Sequence, residues 1–303
     1  MQQAVIYRTG FSKPYQRVVV IKKGLYTMKI IADTATLIPP TEGNSQGLTV
    51  IPVSVAIDGH TYQDYTQISS EEFLEKVKMG GTPSSSQPSI GDMLEQIDNT
   101  EEEILVLTVG DGLSGGYQTA LGARNLVSSP ERIHIMDSRT LAGPLRYLAK
   151  KAVMLKEQGL NIEAIKEKLQ NCIDSSMSFV IPEDFEFLRR SGRLAPFTAK
   201  VGSKLKLLPI LTQTKDMKKI VPIGIKRSWN AAVDTILQQM QAKNVGPNHL
   251  ITISHAGVPQ RAEQVLRQVR EYFASSDIEI LELSPALTTH GGPGCIVIQA
   301  ICK

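Results

Sequence analysis

The chain has 303 residues, of which 42% are hydrophobic and 21% are charged, and its formal net charge at pH 7 is +3. This is the composition of a globular protein with a sizeable core. The three cysteines, Cys172, Cys295 and Cys302, are too few and too widely spaced for a disulfide framework or a zinc cluster, so no metal is expected. No apolar run approaches the ~18 residues of a membrane span, and we expect a cytoplasmic protein without a transmembrane segment.

Basic residues are concentrated at the start of the chain. Residues 1–27 contain five lysines and arginines and no acid, so the small positive net charge comes from this segment. The sequence MKIIADTATL, which begins at Met28, is typical of the first strand of an α/β domain. We therefore interpret residues 1–27 as an appended N-terminal tail. An additional ordered strand at QRVVVI is the alternative.

The following part of the chain alternates between predicted strands and helices. Strands are predicted at KIIADT, LTVIPVSVAIDG, EILVLTVG and RIHIMDS, and the second suits an edge or irregular strand because it contains Pro52. Ser69 and Glu72 form a capping box at the start of a helix that Gly80 ends. Other helices are predicted at IGDMLEQI, GLSGGYQTALGARNLV and LAGPLRYLAKKAVMLKEQG. This alternation predicts a domain with an open parallel sheet over residues 28–170.

The pattern changes in the second half of the chain. A hairpin is predicted in PILTQTKDMKKIVPIG, and two helices and three strands follow it. The helices are WNAAVDTILQQMQAKN and PQRAEQVLRQVREYF, and the strands are HLITISHA, IEILELS and CIVIQAI. Residues 171–303 are therefore predicted to form a second α/β domain with a mixed sheet.

Three predicted loops carry small polar residues that suit an anion. They are GGTPSSSQPSIGD at residues 80–92, VGDGLSGG with Ser114 at a helix start, and TTHGGPGC with His290. Backbone N–H groups, a helix dipole and hydroxyl donors favour negative charge, so three converging loops would bind a small anion without lysine or arginine. Each loop also has a simpler interpretation, as a solvated connection, an N-cap serine or a histidine beside a turn.

Taken together, several segments resemble the DegV family of bacterial fatty-acid-binding proteins. The segments are ADTATL, SSSQPS, GLSGGYQTA, MDS, FLRRSGRL and HGGPG, and the resemblance extends from Met28 to the end of the sequence. It implies two α/β domains with a long-chain fatty acid between them and no cofactor. Family members carry the acyl chain in a two-part fatty acid kinase, whose separate ATP-binding subunit phosphorylates the carboxylate. The resemblance therefore implies that this chain is not itself an enzyme.

The resemblance also implies which residues hold the fatty acid. Ser85 and Ser114 are expected to bind the carboxylate, and His290 is expected to support it directly or through water. The supporting loops are expected to contain Ser86, Gly115 and Gly292. The family usually has threonine where Ser85 stands, so this chain keeps the hydroxyl group and lacks one methyl group.

A dense run of positive charge lies in the second domain. From Arg189 to Arg227 there are eleven basic residues and a single acid, Asp216. A surface of this kind steers acidic proteins or nucleotide phosphates into place. We expect Arg189, Arg193 and Arg227 to dock the kinase subunit. Nucleic acid is a weaker candidate for this segment, because aromatic interleaving and a known binding motif are missing.

Two other functions remain open from the sequence. GLSGG matches the G-x-S-x-G pattern of serine hydrolases, and Asp137 and His290 follow Ser114 in the order that α/β-hydrolases use. This hypothesis leaves the serine-rich loop and the basic segment unexplained. The other alternative is a regulatory or nucleic-acid-binding protein that uses the basic segment.

Overall fold

A computed structural model describes residues 28–98, 100–196 and 207–303. The predicted N-terminal tail and residues 197–206 of the basic segment lie outside the described residues. The strands are β1 Met28–Asp33, β2 Leu48–Ile51, β3 Ser54–Ile57, β4 His60–Gln63, β5 Pro83–Ser86, β6 Glu103–Thr108, β7 Ile133–Asp137, β8 Met177–Ile181, β9 Leu208–Gln213, β10 Ile220–Lys226, β11 His249–His255, β12 Asp277–Glu282 and β13 Ile296–Cys302. The helices are α1 Pro40–Ser45, α2 Ser70–Lys78, α3 Ile90–Asp98, α4 Gly116–Arg124, α5 Ala142–Glu157, α6 Ile162–Ser175, α7 Phe185–Ser191, α8 Trp229–Ala242, α9 Pro259–Tyr272 and α10 Pro285–Gly291.

The first domain contains a parallel sheet with the strand order β2-β1-β6-β7. The central strands β1 and β6 are almost entirely buried, as expected for parallel strands that are covered on both faces. Side chains of α3 and α4 pack on one face, and α5 packs on the other. The sequence prediction of an open parallel sheet is confirmed, and the capping box of Ser69 and Glu72 begins α2.

The second domain contains a mixed sheet with the order β10-β9-β8-β13-β11-β12. The pair β11–β12 is parallel, and the other described pairs of this sheet are antiparallel. Helices α8 and α9 cover one face. The predicted hairpin is confirmed as β9–β10. A boundary at residue 170 lies within α6, which packs on both α5 and β13, so the division into 28–170 and 171–303 stays a prediction.

Two segments differ from the prediction in the first domain. The segment LTVIPVSVAIDG is two strands, because the chain leaves the parallel sheet at Pro52, which has no N–H to donate. Its second half, β3, pairs with β4 and with β5 in a small antiparallel sheet. The serine-rich segment, which we expected to be a loop, forms β5 because its backbone pairs with β3 from Pro83 to Ser86.

The HGGPG segment also differs from the expected loop. Its first two residues, His290 and Gly291, end α10, whose N-cap is Ser284 and whose first residue is Pro285. A serine N-cap followed by proline favours helix initiation, since the hydroxyl group satisfies a free N–H and proline lacks one. His290 therefore lies in the last turn of a helix instead of an open loop.

Helix α5 packs between the two sheets. One continuous cluster of buried side chains includes Met28 and Leu105 of the parallel sheet and Leu250 and Ile301 of the mixed sheet. The first turn of α5 approaches β11 closely, because Gly143 has no side chain. A Cβ atom at Gly143 would overlap Thr252 Oγ1. This close approach joins the two domains in one core.

We expect Gly143→Ala to lower the free energy of unfolding by about 1–3 kcal/mol, because the added methyl group would force α5 away from β11. The matched control is Gly122→Ala in α4, where a Cβ would make an ordinary contact 3.5 Å from Ile90. This control should be neutral or stabilising by up to about 1 kcal/mol, because alanine favours helix. Denaturant unfolding of both variants tests this, and equal effects would contradict the close packing.

Candidate functional site

A pocket lies between the carboxyl ends of the parallel strands and the mixed sheet. It contains about 860 Å³ of empty space, a volume that includes the open solvent at its mouth. The lining is mostly aliphatic, and it includes Val109, Leu113, Leu141, Val180, Leu188 and Val297. Open α/β sheets place ligands at this edge, so the location agrees with the fold.

The three predicted head-group residues line this pocket. Ser85 comes from β5, Ser114 from the turn before α4, and His290 from α10. Ser85 Oγ lies 2.9 Å from His290 Nε2, a hydrogen bond between residues 205 positions apart in the sequence. It joins the small sheet of the first domain to α10. Ser86 also lines the pocket.

The predicted supporting glycines allow close packing around these residues. A Cβ at Gly115 would lie 2.8 Å from the side chain of Gln87, which follows β5. Gly292 has φ +76°, and a Cβ there would lie 2.6 Å from Phe187 of α7. Gly292 needs glycine for its left-handed backbone and its close approach to Phe187, whereas at Gly115 the end of the flexible Gln87 side chain could move aside.

The Ser114 hydroxyl group is oriented by its own turn. Its Oγ accepts a hydrogen bond from the N–H of Gly116 at 3.3 Å, which leaves the O–H free to donate. A Cβ at Gly116 would lie 3.7 Å from Ser114 Oγ and 3.7 Å from Asp33 Oδ2. Helix α4 begins at Gly116, so its amino end adds a favourable potential for an anion beside Ser114.

The charged groups of the pocket are perturbed by burial. Burial, together with the nearby charge of Arg193, lowers the pKa of His290 to about 4, so His290 is neutral at pH 7. Burial raises the pKa of Asp33 to about 6, and a hydrogen bond from the N–H of Ala35 at 2.8 Å partly opposes this. Half-burial also lowers the pKa of Arg193, which remains a cation.

The structure places Arg193 in the pocket wall. Its Nε donates to the carbonyl oxygen of Leu113, the residue before Ser114, at 3.0 Å. The pocket therefore contains a cation, whereas we expected an anion site without lysine or arginine. Arg189 is exposed and pairs with Glu186 at 2.7 Å, and Arg227 is exposed after β10.

The sequence analysis missed two pocket-lining residues, Asp33 and Cys295, and the buried acid Asp64 near Asp33. Asp33 ends the first strand, and an acid at the carboxyl end of a parallel strand is a recognisable signal. Asp64 is fully buried, and burial raises its pKa to about 7; the Thr34 and Ser284 hydroxyl groups near it oppose this rise. Burial raises the pKa of the Cys295 thiol to about 12, so this lining residue is a neutral, apolar group.

The hydrolase alternative is not supported. The carboxylate of Asp137 accepts hydrogen bonds from the N–H groups of Asp111 at 3.0 Å and Arg139 at 2.9 Å. His290 bonds to Ser85, and no hydrogen bond in the described part of the chain joins it to Ser114 or to Asp137. A serine hydrolase needs a base beside the nucleophile and an acid behind the base. The three residues do not form this relay.

The described residues were also compared with the requirements of a metal site and of a membrane-spanning helix. Across 28–98, 100–196 and 207–303, no group of three or more His, Cys, Asp or Glu side chains is arranged to hold a metal ion. In those same ranges, every helix is too short or too polar to cross a membrane.

The fold and the pocket define a class of α/β protein in which a parallel and a mixed sheet enclose an apolar pocket with a polar end. Residues 27–303 match the family described as "Uncharacterised protein, DegV family", and the chain belongs to the DegV family. A DegV domain-containing protein from Clostridium acetobutylicum is 29% identical over 280 residues, which cover 89% of this chain and 96% of that protein.

Solved structures of other DegV proteins have the same fold. A DegV family protein from Thermus thermophilus, described by its fatty acid binding, has a TM-score of 0.82 at 24% identity and covers 91% of this chain and 99% of its own. A DegV family protein from Ruminococcus gnavus, described with vaccenic acid, has a TM-score of 0.80 at 24% identity. That comparison covers 90% of this chain and 99% of the other.

We expect Asp33→Asn to raise the free energy of unfolding at pH 8 by roughly 2–3 kcal/mol, because burial of the ionised carboxylate opposes folding. The raised pKa of about 6 means that this penalty is full above pH 6 and disappears as the pH falls toward the ordinary value of 3.8. The gain should therefore vanish by pH 4. Denaturant unfolding at pH 8, 6 and 4 measures it.

Asp137→Asn is the matched control for this prediction. It removes a carboxylate that accepts two backbone N–H groups, so it should not stabilise the protein at pH 8. If Asp33→Asn were less stable than the wild type at pH 8, the ionised carboxylate of Asp33 would stabilise the folded state, which would contradict the prediction.

Proposed function

We propose that this protein binds a long-chain fatty acid in the pocket and presents its carboxylate to a separate ATP-binding kinase subunit, without catalysing a reaction itself. The observation that carries the binding proposal is that Ser85, Ser114 and Arg193 line the polar end of a pocket whose lining is mostly aliphatic. Two hydroxyl donors and a cation suit a carboxylate. The fatty acid described for the Thermus and Ruminococcus relatives supports the same ligand class.

The Ser85–His290 hydrogen bond sets a condition on this binding. Ser85 has one proton to donate, so it can donate to a ligand carboxylate only if His290 supplies the proton of their shared hydrogen bond. A neutral His290 must then carry its hydrogen on Nε2. The low pKa of His290 is consistent with this neutral form, and His290 would act as a positioning residue for the Ser85 hydroxyl group.

The aliphatic lining suits the acyl chain. Burial of a methylene contributes ~0.8 kcal/mol, so about a dozen methylenes contribute roughly 10 kcal/mol. Association costs ~4–15 kcal/mol, so tight binding requires an almost completely enclosed chain. The two sheets provide apolar walls on both sides of the pocket, and a neutral Cys295 thiol adds to its apolar surface.

We expect Ser114→Ala and Ser85→Ala each to weaken fatty acid binding about 10- to 100-fold, because a buried carboxylate loses a charge-assisted donor worth about 1.5–3 kcal/mol. The matched control is Ser84→Ala, because Ser84 is a neighbouring serine of β5 outside the pocket lining. Equilibrium binding of palmitic acid to delipidated protein measures the effect. A covalent acyl group on Ser114 would contradict a purely binding role.

The basic segment supports the proposed docking of a kinase subunit. Lys218, in the turn of the β9–β10 hairpin, pairs with Asp111 at 3.0 Å, and Asp111 lies just before the turn that holds Ser114. Part of the positive surface therefore reaches the head-group end of the pocket. Arg189 and Arg227 are exposed and do not line the pocket, so they remain the candidate docking residues, whereas the contacts of Arg193 favour a role in ligand binding.

We expect Arg189→Glu and Arg227→Glu to slow acyl-phosphate formation with the kinase subunit while leaving palmitic acid binding unchanged. Exposed charges act mainly on the association rate, so the defect should shrink as salt is raised and the wild type is screened. Arg267→Glu is the control, since Arg267 is an exposed arginine of α9 outside the basic segment. Loss of acid binding in the Arg189 or Arg227 variant would assign that residue to the pocket or the fold.

A further inference from the structure

A row of buried polar side chains crosses the mixed sheet behind the pocket. Ser178 of β8, Gln299 of β13 and Thr252 of β11 are paired directly across three neighbouring strands. Their exposed fractions are 7%, 0% and 1%. Gln299 Nε2 donates to Ser178 Oγ at 2.8 Å and to the carbonyl oxygen of Leu141 at 3.0 Å. Within the described residues, Gln299 Oε1 and Thr252 Oγ1 have no hydrogen-bond partner.

This polar row lies one step beyond the last pocket-lining residues. Val297 and Val180 pair with each other and line the pocket, and Gln299 and Ser178 are the next pair on the same face, about 6.8 Å farther along the strands. Strand β13 begins soon after His290, so the direction from Val297 to Gln299 leads away from the head-group end.

The first turn of α5 covers the same row. Leu141 lines the pocket with its side chain, and its carbonyl oxygen is held by Gln299. Two residues later, Gly143 packs against Thr252 without space for a methyl group. Hydrogen-bonded polar groups and a tightly packed helix terminus therefore lie directly behind the lining residues Leu141, Val180 and Val297.

We propose that the row Ser178–Gln299–Thr252 is the floor of the acyl pocket and sets the longest chain that this protein binds. The inference rests on the proposed fatty acid binding. A longer alkyl chain would have to break the hydrogen bonds of Gln299 and bury its end against unpaired polar atoms, which is unfavourable. Affinity should therefore rise about fourfold per methylene until the methyl end reaches Val180 and Val297, and then fall.

The test is a chain-length profile. Delipidated wild type and Gln299→Ala are compared in competition against radiolabelled palmitic acid, with saturated acids from myristic to behenic acid as competitors. Gln299→Ala removes the amide and opens space at the floor. We expect the affinity of the wild type to fall sharply beyond one chain length. The variant should bind the even-chain acid just longer than this limit about tenfold or more tightly than the wild type does.

Ile301→Ala is the matched control, because Ile301 is the next residue on the same face of β13 and lies in the apolar core beyond the row. It should lower stability and leave the length profile unchanged. If Gln299→Ala does not fold, Gln299→Val removes the amide, still opens space at the floor and suits a strand, so it carries the same expectation. The proposal would be contradicted if the folded Gln299 variant had the same dependence of affinity on chain length as the wild type. It would also be contradicted if Ile301→Ala changed this dependence as much as the Gln299 variant does. A wild type that binds no fatty acid would instead reject the proposed function, and the floor with it.

Discussion

The close contact between the first turn of α5 and strand β11 determines how the two sheets of this protein meet. Gly143 lets the helix backbone approach Thr252, and farther along the helix buried side chains such as Leu145 and Leu148 join one core with both sheets. Because the helix is held this tightly, the carboxyl ends of the parallel strands face the mixed sheet at a fixed separation. The pocket is the space that remains between them.

The head-group end combines opposite charges in a small buried volume. Asp33 is a buried acid whose pKa is raised to about 6, so it is mostly ionised at pH 7, whereas Arg193 is a half-buried cation and His290 is neutral. Hydroxyl groups, which carry no formal charge, provide the remaining contacts. A ligand carboxylate here would meet a nearly balanced field, so its orientation would depend on the hydrogen bonds of Ser85 and Ser114 more than on attraction to a single cation.

The sequence predicts the repeating parts of this fold well. Continuous aliphatic runs such as that of β6 indicate buried parallel strands, and the motifs around Ser85, Ser114 and His290 indicate residues that the fold brings into one pocket. A count of charges along the sequence does not show whether a charged residue faces solvent or a pocket. For this reason the sequence analysis assigns Arg193 to docking, although it lines the pocket. The strand β5 was missed because a serine-rich segment has weak β-propensity and forms a strand only through pairing with β3.

The position of β13 has a consequence for how the protein is made. This strand follows the other strands of the mixed sheet along the chain, yet it lies in the middle of that sheet, between β8 and β11. The two halves of that sheet have no partner for their inner edges until β13 is inserted. The sheet can therefore close only after β8 and β11 have both been synthesised and β13 has followed them, and until then the exposed edges of β8 and β11 are open to pairing with other chains.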